Sequence, residues 1–264
     1  MNEKNFGVCR LALVQVKKEP DDRSEQITQL LFGDHYEVLS YSVDGRWLYI
    51  KIFTDAFEGW IDLKQHHAIS PEYFNQINHA NFKITTDLTA GILYKKNPIT
   101  ILLGSIVPIS NSELFKMEEQ FAFNGEAKSL GQKREFEFLR AIALKYLHAP
   151  YQWGGKSPFG VDCSGFTQMV YKINGYGISR DACRQATCGR KVAELESAMP
   201  GDLAYFFNGS GDIGHVGLIL EEGKIIHASG RVRIDQLTPE GIVELESKVL
   251  THHLAGIRRV LPEN

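Results

Sequence analysis

The stretch 151-YQWGGKSPFGVDCSGFTQMVY-171 sets one cysteine, Cys163, between Asp162 and Ser164-Gly165, where an aromatic, glycine-rich loop gives way to an apolar run. From Ser164 onward, Phe166, Met169, Val170 and Ile173 recur at helical intervals and Gly175 offers a stop. A helix therefore begins beside the thiol. The first turn of a helix carries unsatisfied N–H groups and the positive end of its dipole. Both favour the thiolate, the form in which cysteine is a nucleophile. The same N–H groups suit the oxyanion of a tetrahedral intermediate. Alternatively the thiol is only a small buried residue, and the rest of the chain decides between the two.

A nucleophilic thiol needs a basic partner from another segment, itself oriented by a further polar group. The run 213-IGHVGLILEEGKIIHAS-229 supplies two histidines. His215 begins an apolar strand, with Gly214 and Gly217 leaving room for close approach, and His227 ends the next strand after a turn at Glu222-Gly223. Antiparallel pairing with a loop of this length brings the two rings to the same end of a sheet. Upstream of the cysteine, Phe136, Leu139, Ile142, Ala143 and Tyr146 mark another helix, and downstream DLAYFF, RVRIDQL and LAGIRRVL read as further strands. Helices followed by antiparallel strands make an α+β domain.

The first half has a different texture. Residues 7–63 are short apolar runs divided by turns, with a hairpin signal at Asp44-Gly45, which predicts a small all-β barrel. A weaker echo over 82–123 (FKITTDLTAGILYKK, ITILLGSIVPI, LFKMEEQFAF) predicts a second, with 64–80 as connection.

Composition excludes several classes. The 264 residues are 43% hydrophobic and 23% charged, as in ordinary globular chains. A net charge of -3 with short basic runs gives nucleic acid no footing. No apolar stretch approaches the ~20 residues of a membrane helix. The N-terminus lacks the order of a signal peptide, so a cytoplasmic location is expected. Cys9, Cys163, Cys183 and Cys188 form no CxxC pair, and no close ligand pair suggests zinc. Neither metal nor cofactor is expected, and Cys9, Cys183 and Cys188 read as inert buried thiols.

The segments YQWGGKSPFGVDCSGFTQMVY, SRDACRQ, PGDLAYF, GHVGLIL and IIHAS, in that order over residues 130–262, resemble the NlpC/P60 family of cysteine peptidases. The resemblance implies a papain-like α+β core with Cys163 as nucleophile, His215 as base and His227 as orienting residue. TQLLFGDHYEVL, WLYIKI and GWID resemble a bacterial SH3-like barrel. The implied organisation is one barrel over 1–66, a second over 67–126 and the peptidase domain over 127–264.

This arrangement is similar to that of γ-D-glutamyl-L-diamino acid endopeptidases, which cleave murein stem peptides with a free N-terminal L-Ala. On that likeness Tyr151 and Trp153 form an apolar wall. Asp162 pairs with the substrate ammonium or merely caps the helix, and Ser164 adds a hydrogen bond. Arg180, with Asp181 beside it, clamps a carboxylate. Ala182 stands where the relatives carry serine. Glu25, or Asp22 in its place, grips the amine from the first barrel, and Phe57 completes the wall. The alternatives are an amidase or acyltransferase on the same core, and a non-catalytic module that binds wall peptides.

Overall fold

The computed structural model describes residues 5–79, 82–109 and 121–262. It divides into two compact units, Met1–Gln132 and Lys133–Asn264.

In the first unit, β1 (Asn5–Val8), β2 (Leu13–Lys17), β3 (Gln26–Leu31), β4 (His35–Tyr41), β5 (Trp47–Ile52), β6 (Glu58–Asp62) and β7 (Ala68–Ile69) form one sheet in the order β3-β2-β6-β5-β4-β1-β7. Alternate side chains point to one face of each strand, so Val14, Val16, Leu30, Tyr36, Val38, Leu48, Ile50, Ile52 and Ile61 gather into a single core with Cys9. The β4–β5 hairpin turns at Asp44-Gly45 as expected, with Asp44 Oδ1 accepting from Ser42 Oγ at 2.6 Å and Arg46 N–H at 3.0 Å. The segment expected as mere connection holds β7, which pairs with β1, and helix α1 (Pro71–His79). Proline at its first position and Ser70 Oγ accepting from Tyr73 N–H at 3.1 Å start this helix.

Where a second barrel is expected, β8 (Lys83–Thr85), β9 (Thr89–Tyr94), β10 (Asn97–Leu102), β11 (Ile106–Val107), β12 (Phe121–Asn124) and β13 (Ala127–Ser129) form two three-stranded sheets, β10-β9-β12 and β11-β8-β13. Within LFKMEEQFAF, residues 114–120 lie outside the described residues. The expected boundaries shift at both ends. Residue 66 is no division, because β7 still belongs to the first sheet, and Phe32 packs in one apolar cluster with Ile92, Ile101, Val107 and Phe121. Gly33 permits this docking: at φ +86° it lies so close that a Cβ would sit 2.1 Å from the Ile106 carbonyl oxygen. Nor does the unit end at 126, since β13 pairs with β8 and carries it to Gln132.

The second unit contains α2 (Phe136–Lys145), β14 (Lys156–Ser157), β15 (Gly160–Val161), α3 (Cys163–Ile173), α4 (Ala182–Gln185) and β16 (Arg190–Val192). Strands β17 (Leu203–Phe207), β18 (Ile213–Ile219), β19 (Lys224–Ser229), β20 (Arg231–Thr238), β21 (Gly241–Val243) and β22 (Leu250–Arg259) follow. The sheet runs β16-β22-β17-β18-β19-β20-β21, and β22 also pairs with β21, so six strands close on themselves. One long strand does both jobs: residues 250–253 face β21 and residues 254–258 face β17. Ala204, Phe206, Ile219, Ile225, Leu237, Ile242 and Ile257 fill the interior. Helix α3 packs against α2, β18 and β19. Every residue of it except Lys172 is buried, more than its single apolar stripe predicts, because it is covered on two sides. The α+β expectation holds. Of the three other thiols, Cys9 is buried, whereas Cys183 is exposed and Cys188 half-buried, correcting the expectation for the last two. Both sit on or just beyond the short α4, near the surface.

Candidate active site

Asp162 ends the loop in extended backbone and caps α3, its Oδ1 accepting from Gly165 N–H at 2.6 Å. Cys163 thereby becomes the first helical residue. The other carboxylate oxygen holds the preceding loop, accepting from Gly154 N–H at 2.8 Å. Arg180 grips the same carboxylate with two nitrogens, Nη1 to Oδ1 at 2.9 Å and Nη2 to Oδ2 at 2.6 Å. Nη1 also donates to Ser164 Oγ at 2.9 Å, and Ser164 donates to Asp162 Oδ1 at 3.3 Å. A buried bidentate pair of this kind is stable because each lone pair and N–H finds a partner. Asp162 therefore caps the helix while standing 5% exposed. Arg180, expected to clamp a substrate carboxylate, is 3% exposed and engaged with Asp162.

The sheet supplies the imidazoles. Gly217 pairs directly with His227, and His215 lies two residues before Gly217 on the same face. The rings therefore meet diagonally. A Cβ at 217 would stand 3.0 Å from His227 Cβ and 2.7 Å from Ile225 Cδ1, so glycine makes the room expected of it. His215 Nε2 lies 2.8 Å from His227 Nδ1. On the far side, His227 Nε2 lies 2.9 Å from Asp235 Oδ2. Asp235 Oδ1 accepts from Arg233 Nη2 and from Leu245 N–H, each at 3.0 Å, and Arg233 is also paired with Glu244. His252 of β22 stacks on His215, ring centroids 4.2 Å apart at 24°.

Cys163 meets this group at β18. The backbone N–H of Val216, next to His215, is among the groups that stabilise its thiolate, along with Arg180 and the Ser164 N–H. They do not win. Burial, then the Asp162 carboxylate, push the thiol up to about 12. The magnitudes explain why the helix start does not offset burial. A helix terminus contributes about 0.3–1 kcal/mol, less than about one pKa unit, whereas full burial shifts a group by about 3–5 units. His215 is correspondingly driven well below the usual histidine range by burial and by its neighbours His227 and His252. Burial thus works against both the thiolate and the imidazolium. Burial opposes charge on Asp235 too, but hydrogen bonds from His227, Leu245 N–H and Arg233 hold it down at about 2.

The remaining expected residues are spread more widely. Burial, then the charges of Cys163 and Asp162, raise the Tyr151 hydroxyl to about 12, with Arg180 opposing. Trp153 is 60% exposed. Asp181 pairs with Arg184 at 3.8 Å, and Ala182 opens α4. In the first unit, Glu25 pairs with Lys18 at 3.6 Å, Asp22 with Arg46 at 3.5 Å, and Phe57 packs on the barrel core.

Asp235, Arg233 and His252 were missed. The signal for Asp235 was an acid at an inward position of a strand, in register with Leu237. His252 is separated from His215 by 37 residues and carries no local signal.

Three comparisons bear on the whole. The model of the NlpC/P60 family matches residues 148–259, and that of the bacterial dipeptidyl-peptidase SH3 domain matches residues 16–65. The chain is 29% identical over 255 residues to a γ-D-glutamyl-L-lysine dipeptidyl-peptidase of Bacillus subtilis, covering 89% of this chain and 81% of that protein. It is 29% identical over 232 residues to dipeptidyl-peptidase 6 of Lysinibacillus sphaericus, covering 80% and 83%. The crystal structure of an NlpC/P60 family protein from Bacillus cereus superposes with a TM-score of 0.82 at 22% identity, covering 97% of this chain and all of that one, a likeness of fold.

Proposed function

From the premise that the chain carries an NlpC/P60 domain behind a bacterial SH3 domain, we propose that it is a cysteine endopeptidase. Its substrate would be a murein stem peptide with a free N-terminal L-Ala, cut at the γ-D-Glu–diamino acid bond. The observation that carries the reading is Cys163 at the start of α3, lying against the β18 residue next to His215, with His227 bonded behind that ring. The substrate class rests on the two peptidase relatives.

Cys163 attacks the γ-carbonyl carbon of D-Glu while His215 takes the thiol proton, so charge develops only as the bond forms. The Ser164 N–H faces the sulfur and suits the oxyanion. His215 then protonates the leaving α-amine of the diamino acid. Water hydrolyses the thioester and releases L-Ala-D-Glu. Tyr151 and Trp153 wall the acyl side, and Asp181 and Glu25 remain candidates for polar contacts to the peptide. A free L-Ala amine arises only after the stem peptide has left its sugar, so the reading extends to peptide recycling in the cytoplasm.

The test is mass spectrometry of L-Ala-γ-D-Glu-L-Lys and its meso-diaminopimelate analogue, each beside the N-acetylated peptide. Release of L-Ala-D-Glu from the free peptides alone is expected. Cleavage of acetylated peptides removes the free-amine requirement. No cleavage of either refutes the substrate assignment, and binding without turnover by wild-type protein favours a wall-binding module.

A further inference from the structure

Behind His227 stands a carboxylate to which the reaction above gives no role. Asp235 is 1% exposed. Its Oδ1 is held by two donors, Arg233 Nη2 and Leu245 N–H, each at 3.0 Å, while Oδ2 lies 2.9 Å from His227 Nε2 and 2.8 Å from Arg233 Nε, whose N–H is not aimed at it. Arg233 is itself anchored by Glu244. An ionised carboxylate only accepts, so His227 Nε2 must carry the hydrogen.

A neutral imidazole has one donor and one acceptor nitrogen. With Nε2–H directed at Asp235, His227 Nδ1 is the acceptor. The atom it faces at 2.8 Å, His215 Nε2, must then be a donor. That places the lone pair of His215 on Nδ1, the nitrogen not engaged with His227. We propose that Asp235 is a positioning residue that sets the tautomers of His227 and His215 in series, leaving His215 Nδ1 as the proton acceptor for Cys163. Its catalytic consequence rests on the peptidase reading; the tautomers themselves do not.

The aromatic groups around His215 are consistent with a fixed ring. His252 stacks on one face, and Phe206 of β17 lies 5.9 Å away, centroid to centroid. Rotation is hindered, so proton placement is decided by hydrogen bonding along the row.

Asp235→Asn and Asp235→Ala separate this role from a structural one. Two directed N–H donors converge on the Oδ1 position, whereas the Arg233 Nε near Oδ2 makes no hydrogen bond, so an asparagine sets its carbonyl oxygen at Oδ1 and turns its NH2 to His227. The amide then donates where the carboxylate accepted. Both tautomers reverse, and His215 Nδ1 acquires a hydrogen. The expected result is a fall in kcat of about 10³–10⁴-fold for Asp235→Asn, the scale of a tautomer error in a Ser-His-Asp triad. Asp235→Ala, which leaves His227 free to keep its productive form part of the time, should lose about 10–100-fold. A purely structural carboxylate gives the opposite ranking, because asparagine keeps its shape.

Nitrogen-15 spectra of histidine-labelled protein, recorded without peptide, read the tautomers directly. Nε2–H on both rings in the wild type and Nδ1–H in Asp235→Asn support the proposal. Nδ1–H or doubly protonated rings in the wild type overturn it, as does Asp235→Asn matching or exceeding Asp235→Ala in activity. The wild-type spectrum decides even if a variant fails to fold, and failure of the peptide assay leaves it untouched.

Discussion

Cys9 in the first unit and Cys163 in the second are both buried thiols, and burial pushes each up to about 12. Acidity does not distinguish them; neighbours do. Cys9 sits 1% exposed among Val14, Leu30 and Ile50, and its Sγ donates to the Leu11 carbonyl at 3.3 Å. Cys163 begins a capped helix and lies against the strand that carries His215. A cysteine buried in a barrel core has nowhere to send its proton, whereas one beside a neutral imidazole has an acceptor ready when a carbonyl arrives.

Replacing each thiol tests this contrast most strongly. Cys163→Ser should lower turnover of L-Ala-γ-D-Glu-L-Lys by more than about 10⁴-fold, the scale seen when a nucleophile is removed from a catalytic set. Cys9→Ser should leave kcat within about 2-fold and instead cost about 1–3 kcal/mol of stability, by placing a hydroxyl in an apolar core. Comparable turnover losses in both would erase the distinction.

The second test concerns the helix start. Arg180→Met leaves the Asp162 charge buried without its guanidinium, which should cost about 3–5 kcal/mol in urea unfolding of the second unit. A loss below about 1 kcal/mol would mean that solvent screens the pair.

Alkylation by iodoacetamide sharpens the comparison further. A protonated thiol reacts only through its small thiolate fraction, so both rates should climb steadily from pH 7 to pH 10. A plateau for Cys163 below pH 8 would reveal a resting thiolate–imidazolium pair instead.

The smallest effect is expected at His252, which burial and then His227 lower to about 4, with Asp235 opposing. A histidine depressed in the folded state contributes stability above its unfolded value near 6.5, and that contribution fades as pH falls toward 4. The urea midpoint should therefore drop across this window, and His252→Phe, which keeps the stack on His215, should flatten the drop. An unchanged pH dependence would remove His252 from the account.

Much of the site was legible because its signals are local. The stretch 151–171 places a thiol at a helix start through spacing alone, and the hairpin 215–227 brings two histidines together by strand register. Asp162 was readable as a cap for the same reason. Arg180 was found, but its partner was not: a guanidinium suited to a carboxylate does not say whose carboxylate. The second half of the first unit was read too simply, since Phe32 and Gly33 look like ordinary turn residues until Val107 is seen clustered with the one and Ile106 against the other.

Fold class, the cysteine at a helix start and the facing histidines are properties of short stretches, where periodicity and turn chemistry act within a few residues. The resting charge state of the thiol, the bidentate hold of Arg180 on Asp162, and the row from Asp235 through His227 to His215 came only from the folded chain. Burial and hydrogen bonding depend on what distant segments bring to the same few ångströms. No local pattern can report how much water has been removed from around a sulfur, or which oxygen stands behind an imidazole.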